Sequence, residues 1–405
     1  MEPIVTKGTS FLFGPVLKIE ATDEATSADT AATAIPSVKP KPKKKKSTPH
    51  QDYLDGLWGD DDDRMTLLSE TAINGGVCGQ QFTKLIAPQG NMKYPRLIVL
   101  DPQIIRIVTA PDDCSLHLAY ILEYPGGDDW QKKQIITRVD PHNDVSTVGD
   151  SDIADSWTIT NYVRRVNAGS TTQNTWMQQG DPIDWPYPFA PIFTNKNLPN
   201  PNESWGVPDL TQDLINENKV LNFLFSNLAR IIKYHGHPKT VATGVQAQDI
   251  TMTVDGVLCL PDETSKIDIL KAMENFSGIL SVIGSVMSNI DEQSRVPAVA
   301  LGRVADLPRG NISGVALQLL FQPLIEKTIQ KQRLYGQMIR QVSRAALVIG
   351  GLIDVSEYED YSIDLHWQNL LPVDDLAAAQ TAAILKTLGV SDATILQQLG
   401  YDPDA

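Results

Sequence analysis

The sequence predicts an α+β protein: a β-rich first half, then a succession of long helices that carry a small β insert. Three observations lead there. Strand-like runs crowd residues 76 to 200, apolar residues recur every three or four positions in three later segments, and 405 residues suffice for two or three domains. A hydrophobic content of 42%, with 27 Gly and 26 Pro, belongs to a chain with a real core. The formal charge of -15, from 34 basic and 49 acidic residues, opposes a protein that coats nucleic acid along its whole length.

Residues 1 to 20, MEPIVTKGTSFLFGPVLKIE, mix apolar with turn residues and resemble the inside of a domain more than its beginning, as if the natural N-terminus lay upstream. From about Ala21 to His50 the composition shifts to Ala, Thr, Ser and Pro, then to Lys39, Lys41 and Lys43 to Lys46. Too little apolar surface exists there to offset ordering entropy, so a disordered surface loop is expected over 21–50. The lysine run has two readings, a solvated charge run or a nucleic-acid patch. Asp60 to Asp63 precede the helical spacing of Met65, Leu68 and Ile73; carboxylates there suit the positive end of a helix, and one can cap it. Gly75, Gly76 and Gly79 have neither a following Lys-Ser/Thr nor dinucleotide spacing and are expected to form a turn.

The β region is carried by RLIVLDPQIIRIVT, LHLAYILEY, KQIITRV and SWTITNYVRRV, separated by Pro-Asp-Asp, Pro-Gly-Gly and Asn-Ala-Gly turns, and it has an antiparallel character. A Pro-rich extended connection, WPYPFAPIFTNKNLPNPNESWG, leads to a helix expected from near Pro208 to His235. Leu210, Leu214, Leu221, Leu224, Leu228 and Ile231 give that helix an apolar face, and Gly236 and Pro238 stop it. A β-like insert (TVATGV, ITMTV, GVLCL) follows to about residue 269. A second helix over 270–293 has the apolar stripe Phe276, Ile279, Ile283, Val286 and Ile290 and the small-residue stripe Gly278, Ser281, Ser285 and Ser288. After the irregular segment 294–313 comes a third helix, 314–350, roughly 50 Å long and expected to kink at Pro323. A strand (YSIDLHW) and two short helices complete the chain.

Cys78, Cys114 and Cys259 are too few and too far apart for a disulfide framework or a metal pair, and a reducing compartment is expected. No run is long and apolar enough for a membrane span, so no membrane partner is expected. His235 and His237 are close, but no third metal ligand follows at suitable spacing, and neither a nucleophile elbow nor a kinase signature occurs. No catalytic residue, metal or cofactor is expected.

The stretch RVPAVALGRVADLPRGNISGVALQLLFQPLIEKTIQKQR, residues 295–333, resembles the portal proteins of tailed bacteriophages. PIVTKGTSFLFG near the start, WGVPDLTQDLINENKVLNFLFSNL at 205–228 and GVSDATILQQLGYDP at 389–403 agree with it. The resemblance implies a portal-type fold that assembles as a ring, usually of twelve copies, with 1–206 as wing, 207–235 and 270–293 as stem, 236–269 as clip, 294–313 as tunnel loop, 314–350 as long kinked helix and 351–405 as C-terminal wing or short crown. It implies a non-enzymatic conduit for double-stranded DNA at one capsid vertex, bound without sequence preference during packaging and ejection. Implied partners are the terminase large subunit, major capsid and scaffolding proteins, and head-completion or neck proteins. The implied location is the virion, and the host cytoplasm during assembly. The competing expectation is another ring-forming virion adaptor or vertex protein without a DNA channel.

Within that frame Arg295, Val299, Arg303, Asp306, Arg309 and Asn311 are the tunnel candidates; the arginines have two expected uses, weak phosphate contact and salt bridges between neighbouring copies. Val296, Val299, Leu301 and Val304 offer an apolar loop surface. On the long helix Arg333, Arg340 and Arg344 share one face, and Lys327 and Lys331 are one turn apart; all five are phosphate-facing or inter-subunit candidates. Net charge is -7 over 1–206, +1 over 207–350 and -9 over 351–405, so the acid lies outside the candidate channel segment.

Overall fold

The computed structural model describes residues 2–14, 16–21, 48–88, 90–127, 129–139, 156–165, 175–236, 240–243, 266–269, 277–303, 314–367, 370, 382–387 and 391. In chain order these contain α1 (Glu2–Phe13), β1 (Lys18–Ala21), α2 (Pro49–Trp58), α3 (Asp61–Cys78), β2 (Gln80–Ile86), β3 (Arg96–Leu100), β4 (Ile105–Thr109), β5 (His117–Pro125), β6 (Trp130–Val139), β7 (Ser156–Arg165), β8 (Met177–Gln178), β9 (Ile183–Trp185) and β10 (Ile192–Lys196). There follow α4 (Gln212–Gly236), β11 (Thr240–Thr243), β12 (Lys266–Ile269), α5 (Ser277–Ser294), α6 (Gly314–Ile349) and β13 (Ile363–His366). They divide into two compact units, a helix-pair unit, Thr211–Ser294, and a main unit, Glu2–Leu210 with Arg295–Ala405.

In the main unit β4 to β8 form an antiparallel sheet in sequence order, with β9 also on β7. Register places Tyr120, Ile136 and Ile159 opposite one another on one face, and Tyr120 and Ile136 are buried there. A second sheet, ordered β10-β2-β3, is also antiparallel. β1 pairs with β13 from Lys18↔His366 to Ala21↔Ile363, joining the two ends of the described main unit. The second half of α6 runs through the core: Tyr335, Met338, Ile339, Val342, Ala345, Ala346 and Leu347 are all buried. α1, α2, β10 and β13 pack on this helix, and Phe13 meets Tyr335 edge-on and stacks with Trp367.

Local chemistry explains the helix ends. Thr48 Oγ1 accepts from the Gln51 N–H and Pro49 occupies the first turn of α2, which stops at Gly59 with φ 73°. Asp60 Oδ1 accepts from the Asp63 N–H at 2.9 Å, and Asp61, Asp62 and Asp63 fill the first turn of α3, so this carboxylate run has a structural use. α3 ends where Gly79, φ 84°, donates its N–H to Gly75 O.

Several sequence expectations change. Gly75 and Gly76 belong to α3, not a turn: a Cβ on Gly75 would stand 1.9 Å from Tyr335 Oη, and one on Gly76 2.9 Å from Asp209 Oδ2, so only glycine permits the approach. Residues 2–13 form a continuous helix with Gly8, Thr9 and Ser10 inside it. α2 begins at Pro49, inside the expected loop; the lysine run Lys39 to Lys46 lies outside the described residues. α4 starts at Gln212, not Pro208: Thr211 Oγ1 accepts from the Leu214 N–H at 3.4 Å at the helix start, while the Asp209 carboxylate is held by Lys327 and Lys331. α6 matches its expected span closely and is unbroken through Pro323. Of the insert, β11 and β12 are described; ITMTV, GVLCL, Cys259 and Phe276 lie outside the described residues, as do most of the C-terminal helices.

Candidate functional site

Among its described residues the helix-pair unit buries little. α4 and α5 pack together, Glu217 Oε1 accepts from Gln293 Nε2 at 2.7 Å, and Leu214 and Ile283 are its buried apolar side chains among the described residues. The stripe Ile279, Ile283, Val286 and Ile290 is the less exposed side of α5, while Gly278, Ser281, Ser285 and Ser288 are exposed. A Cβ added at Gly278 or Gly284 would meet nothing within 4 Å.

What the stripes do not contain is as informative. Phe223 is 65% exposed, Phe225 46%, Leu280 55% and Val282 51%, with Val220 and Ile232 also exposed. Two residues on an α-helix span about 200° of arc, so Phe223 and Phe225 leave α4 on nearly opposite sides, as Leu280 and Val282 leave α5. The expectation of a single apolar face for α4 is therefore too simple. Sequence reasoning missed these four side chains, although their displacement from the three-and-four spacing was a visible signal.

In the main unit the segment after α5 is described as far as Arg303. Arg295 is exposed with φ 55°, a left-handed conformation unusual for a side-chain-bearing residue. Val296 beside it is fully buried, which corrects its assignment to an apolar loop surface. A short 3-10 turn, Ala298–Leu301, closes on Gly302, φ 80°, and the Arg303 N–H donates to Ala298 O at 3.0 Å. Val299 and Leu301 on it are half-buried, as is Arg303. Val304, Asp306, Arg309 and Asn311 lie outside the described residues.

The lysines of α6 correct the phosphate-facing expectation most clearly. Lys327 and Lys331 are 4% and 3% exposed. Their Nζ atoms stand 3.0 Å from Asp209 Oδ1 and 2.5 Å from Asp209 Oδ2. Their surface-like spacing is satisfied inward, by a carboxylate far away in sequence. Asn197 Nδ2 donates to Asp209 Oδ1 at 3.2 Å and to Val207 O at 3.1 Å, Tyr335 Oη donates to Asn197 Oδ1 at 3.2 Å, and the Asp209 N–H donates to Gly76 O at 2.8 Å. Burial pushes the Asp209 carboxyl up, but Lys331 and then Lys327 override this and hold it below its ordinary value. Burial drives the Tyr335 phenol well above its ordinary value.

Arg340 and Arg344 are also turned to the chain: their Nε–H groups donate to Ile363 O at 3.1 Å and Tyr361 O at 2.6 Å, fastening the approach to β13. Both are half-buried, whereas Arg333 is exposed. Of the proposed row, only Arg333 presents its side chain outward among the described residues.

A cleft of about 920 Å³ in the main unit is lined by Tyr120, Trp157, Phe189, His117, Lys196 and Gln341 among others. Its polar groups hold the chain itself: Lys196 Nζ donates to Asn200 O and Glu203 O, and His117 Nδ1 lies 2.8 Å from the Tyr120 hydroxyl. Burial, and then Lys196, push the His117 imidazole below its ordinary value. Among the described residues no three His, Cys, Asp or Glu side chains group to hold a metal ion, and no helix is long and apolar enough to cross a membrane. His237 lies outside the described residues, as does the side chain of His235.

Comparison with known proteins gives one family and one fold. The family described as "Phage portal protein, SPP1 Gp6-like" matches residues 62–404. No curated protein matches. A solved structure described as the virion of a native gene transfer agent particle aligns with a TM-score of 0.52 at 14% identity, over 99% of this chain and 89% of that one. The neck of the native particle, computed with C12 symmetry, aligns at 0.51 and 12%, over 99% and 90%. The neck of the empty particle, computed with C6 symmetry, aligns at 0.54 and 13%, over 99% and 89%. At such identities these likenesses speak for the mixed helix-and-sheet fold alone.

Proposed function

The chain belongs to the SPP1 Gp6-like phage portal protein family, and on that premise we propose that copies of it close into a ring at one capsid vertex, with an axial passage for double-stranded DNA. The family's role is structural. The observation that carries the ring is the apolar display of the helix pair. A lone chain gains nothing by holding Phe223, Phe225, Leu280 and Val282 in water, on two sides of each helix. A closed ring joins unlike faces, one belonging to each neighbour, and therefore needs two apolar sides per copy. The number of copies we take as twelve, in keeping with the C12 symmetry of the native gene transfer agent neck.

In this reading 1–206 is the wing, α4 and α5 are the stem, 236–269 is the clip that docks the terminase large subunit and later the neck proteins, 294–313 is the tunnel loop, α6 is the long helix, and 351–405 returns to the wing. Major capsid proteins surround the ring, and scaffolding proteins contact it during assembly. DNA must slide through, so the wall should touch phosphates weakly and bases not at all. A bidentate base contact is worth about 1–3 kcal/mol and would stall each matching sequence. Phosphate contacts add salt-dependent affinity one by one. Lys327 and Lys331 are engaged by Asp209, and the Nε–H groups of Arg340 and Arg344 by carbonyls, within the chain itself. Arg295, Arg303 and Arg309, tempered by Asp306 and flanked by Val299 and Asn311, are the proposed tunnel contacts, with Arg333 as a further candidate on α6. Segment 207–350 is near neutral at +1 while its flanks carry -7 and -9, which suits loose passage.

Native mass measurement of the full chain over a range of concentrations tests the ring. One closed species of about twelve copies is expected; a chain that stays monomeric at high concentration rejects the proposal.

A further inference from the structure

The cluster around Asp209 is more than a buried ion pair, because two ammonium groups share one carboxylate in a site closed on every side. Asp209 is 3% exposed and its side chain lies between Lys327 and Lys331 of α6. α1 and α3 present glycines there: a Cβ at Gly8 would lie 3.5 Å from Asp209 Oδ2 and 3.8 Å from Lys331 Nζ, and one at Gly76 2.9 Å from Asp209 Oδ2. Asn197 and Tyr335, both fully buried, complete the enclosure through the Asn197 amide. The titratable groups facing Lys331 are thus Asp209 from the 197–209 segment, and Lys327 and Tyr335 one turn away on its own helix. Tyr335 stays neutral, so it adds no charge.

We propose that Asp209, Lys327 and Lys331 form a proton-operated latch in which release of the Lys331 proton to solvent leaves one carboxylate facing one ammonium and tightens the hold of the 197–209 segment on α6. Lys331 is the member that gives way. Burial pulls its ammonium down to about 8 from the usual 10.5, and Lys327 adds to that while Asp209 opposes it. An unfolded chain keeps the proton up to about 10.5, so between about 8 and 10.5 the unfolded state binds more protons than the folded one. Through Lys331, stability rises with pH across that window. Exposed carboxylates are already ionised there and contribute no slope.

All seven tryptophans of the sequence lie outside the helix-pair unit, so their fluorescence follows the main unit alone. Thermal unfolding of the full chain, followed by tryptophan emission from about pH 7 to about pH 9.5, tests the latch. The wild-type midpoint is expected to climb by a few degrees, and Lys331→Met to flatten that climb. Lys327→Met removes the neighbouring positive charge, so the climb should move to higher pH. A wild-type midpoint that does not climb, or an equal climb in Lys331→Met, overturns the latch. Should Lys331→Met fail to fold, a climb left in place by Lys327→Met overturns it equally.

Discussion

The helix pair and the main unit solve opposite problems with the same kinds of residue. In the main unit the second half of α6 buries Tyr335, Met338, Ile339, Val342 and Ala345 to Leu347, and Phe13, Phe82, Leu54, Leu68 and Tyr335 close a continuous core. In the helix-pair unit Leu214 and Ile283 are buried, while phenylalanine, leucine and valine side chains stand in water on both sides of each helix. The helix pair has apolar surface left to bury, and copies of the same chain supply the cover in the ring proposed above.

The largest effect should come from breaking that contrast on the helix-pair side. Phe223→Asp combined with Leu280→Asp is expected to abolish the ring while leaving the tryptophan emission of the main unit native. Loss of a buried anchor costs about 2 kcal/mol or more per interface, and each copy has two. Sedimentation of the purified variant checks it; a ring that persists would sink the assignment of these faces.

Next comes the main unit's own charged centre. Asp209→Asn leaves two buried ammonium groups without their carboxylate and should cost about 3–5 kcal/mol, measurable by urea unfolding. The Asp209 carboxyl is depressed below its usual 3.8, so its stabilisation is full above that value and lost as pH falls through the folded one. Acid unfolding of wild type should be steeper than that of the variant. Gly75→Ala is expected to cost about 1–3 kcal/mol by overpacking against Tyr335, with part recovered when Tyr335→Phe is added. No recovery would mean that the close approach is not what requires glycine. Arg303→Ala with Arg309→Ala should change stability by only about 0.5 kcal/mol or less and leave assembly intact, yet shorten the DNA packaged. Loss of assembly would reassign these arginines to the subunit interface.

Legibility in the sequence followed the range of the interactions. α6 was readable as one long helix from about Gly314 to Ile349, and it runs unbroken for 36 residues. β3 to β7 were readable from strand-like runs and turn residues, whereas β2, β8 and β9 were not foreseen and β10 lay inside what reads as a Pro-rich extended connection. The start of α4 was displaced because Pro208-Asp209 has the look of a helix start, whereas Asp209 answers to lysines more than a hundred residues later. The same distant pairing turned Lys327 and Lys331 from apparent surface cations into buried ones. Gly75 and Gly76 imitated a turn because no local window contains Tyr335 or Asp209. Family resemblance supplied the portal assignment, which no motif of catalysis or ligand binding could have given.

A cryo-electron-microscopy reconstruction of the assembled full chain tests the central claim most directly. A closed ring around an axial channel is expected, with Phe223, Phe225, Leu280 and Val282 of each copy buried against its two neighbours. Monomers throughout, or a ring that leaves those four side chains in solvent, would contradict it.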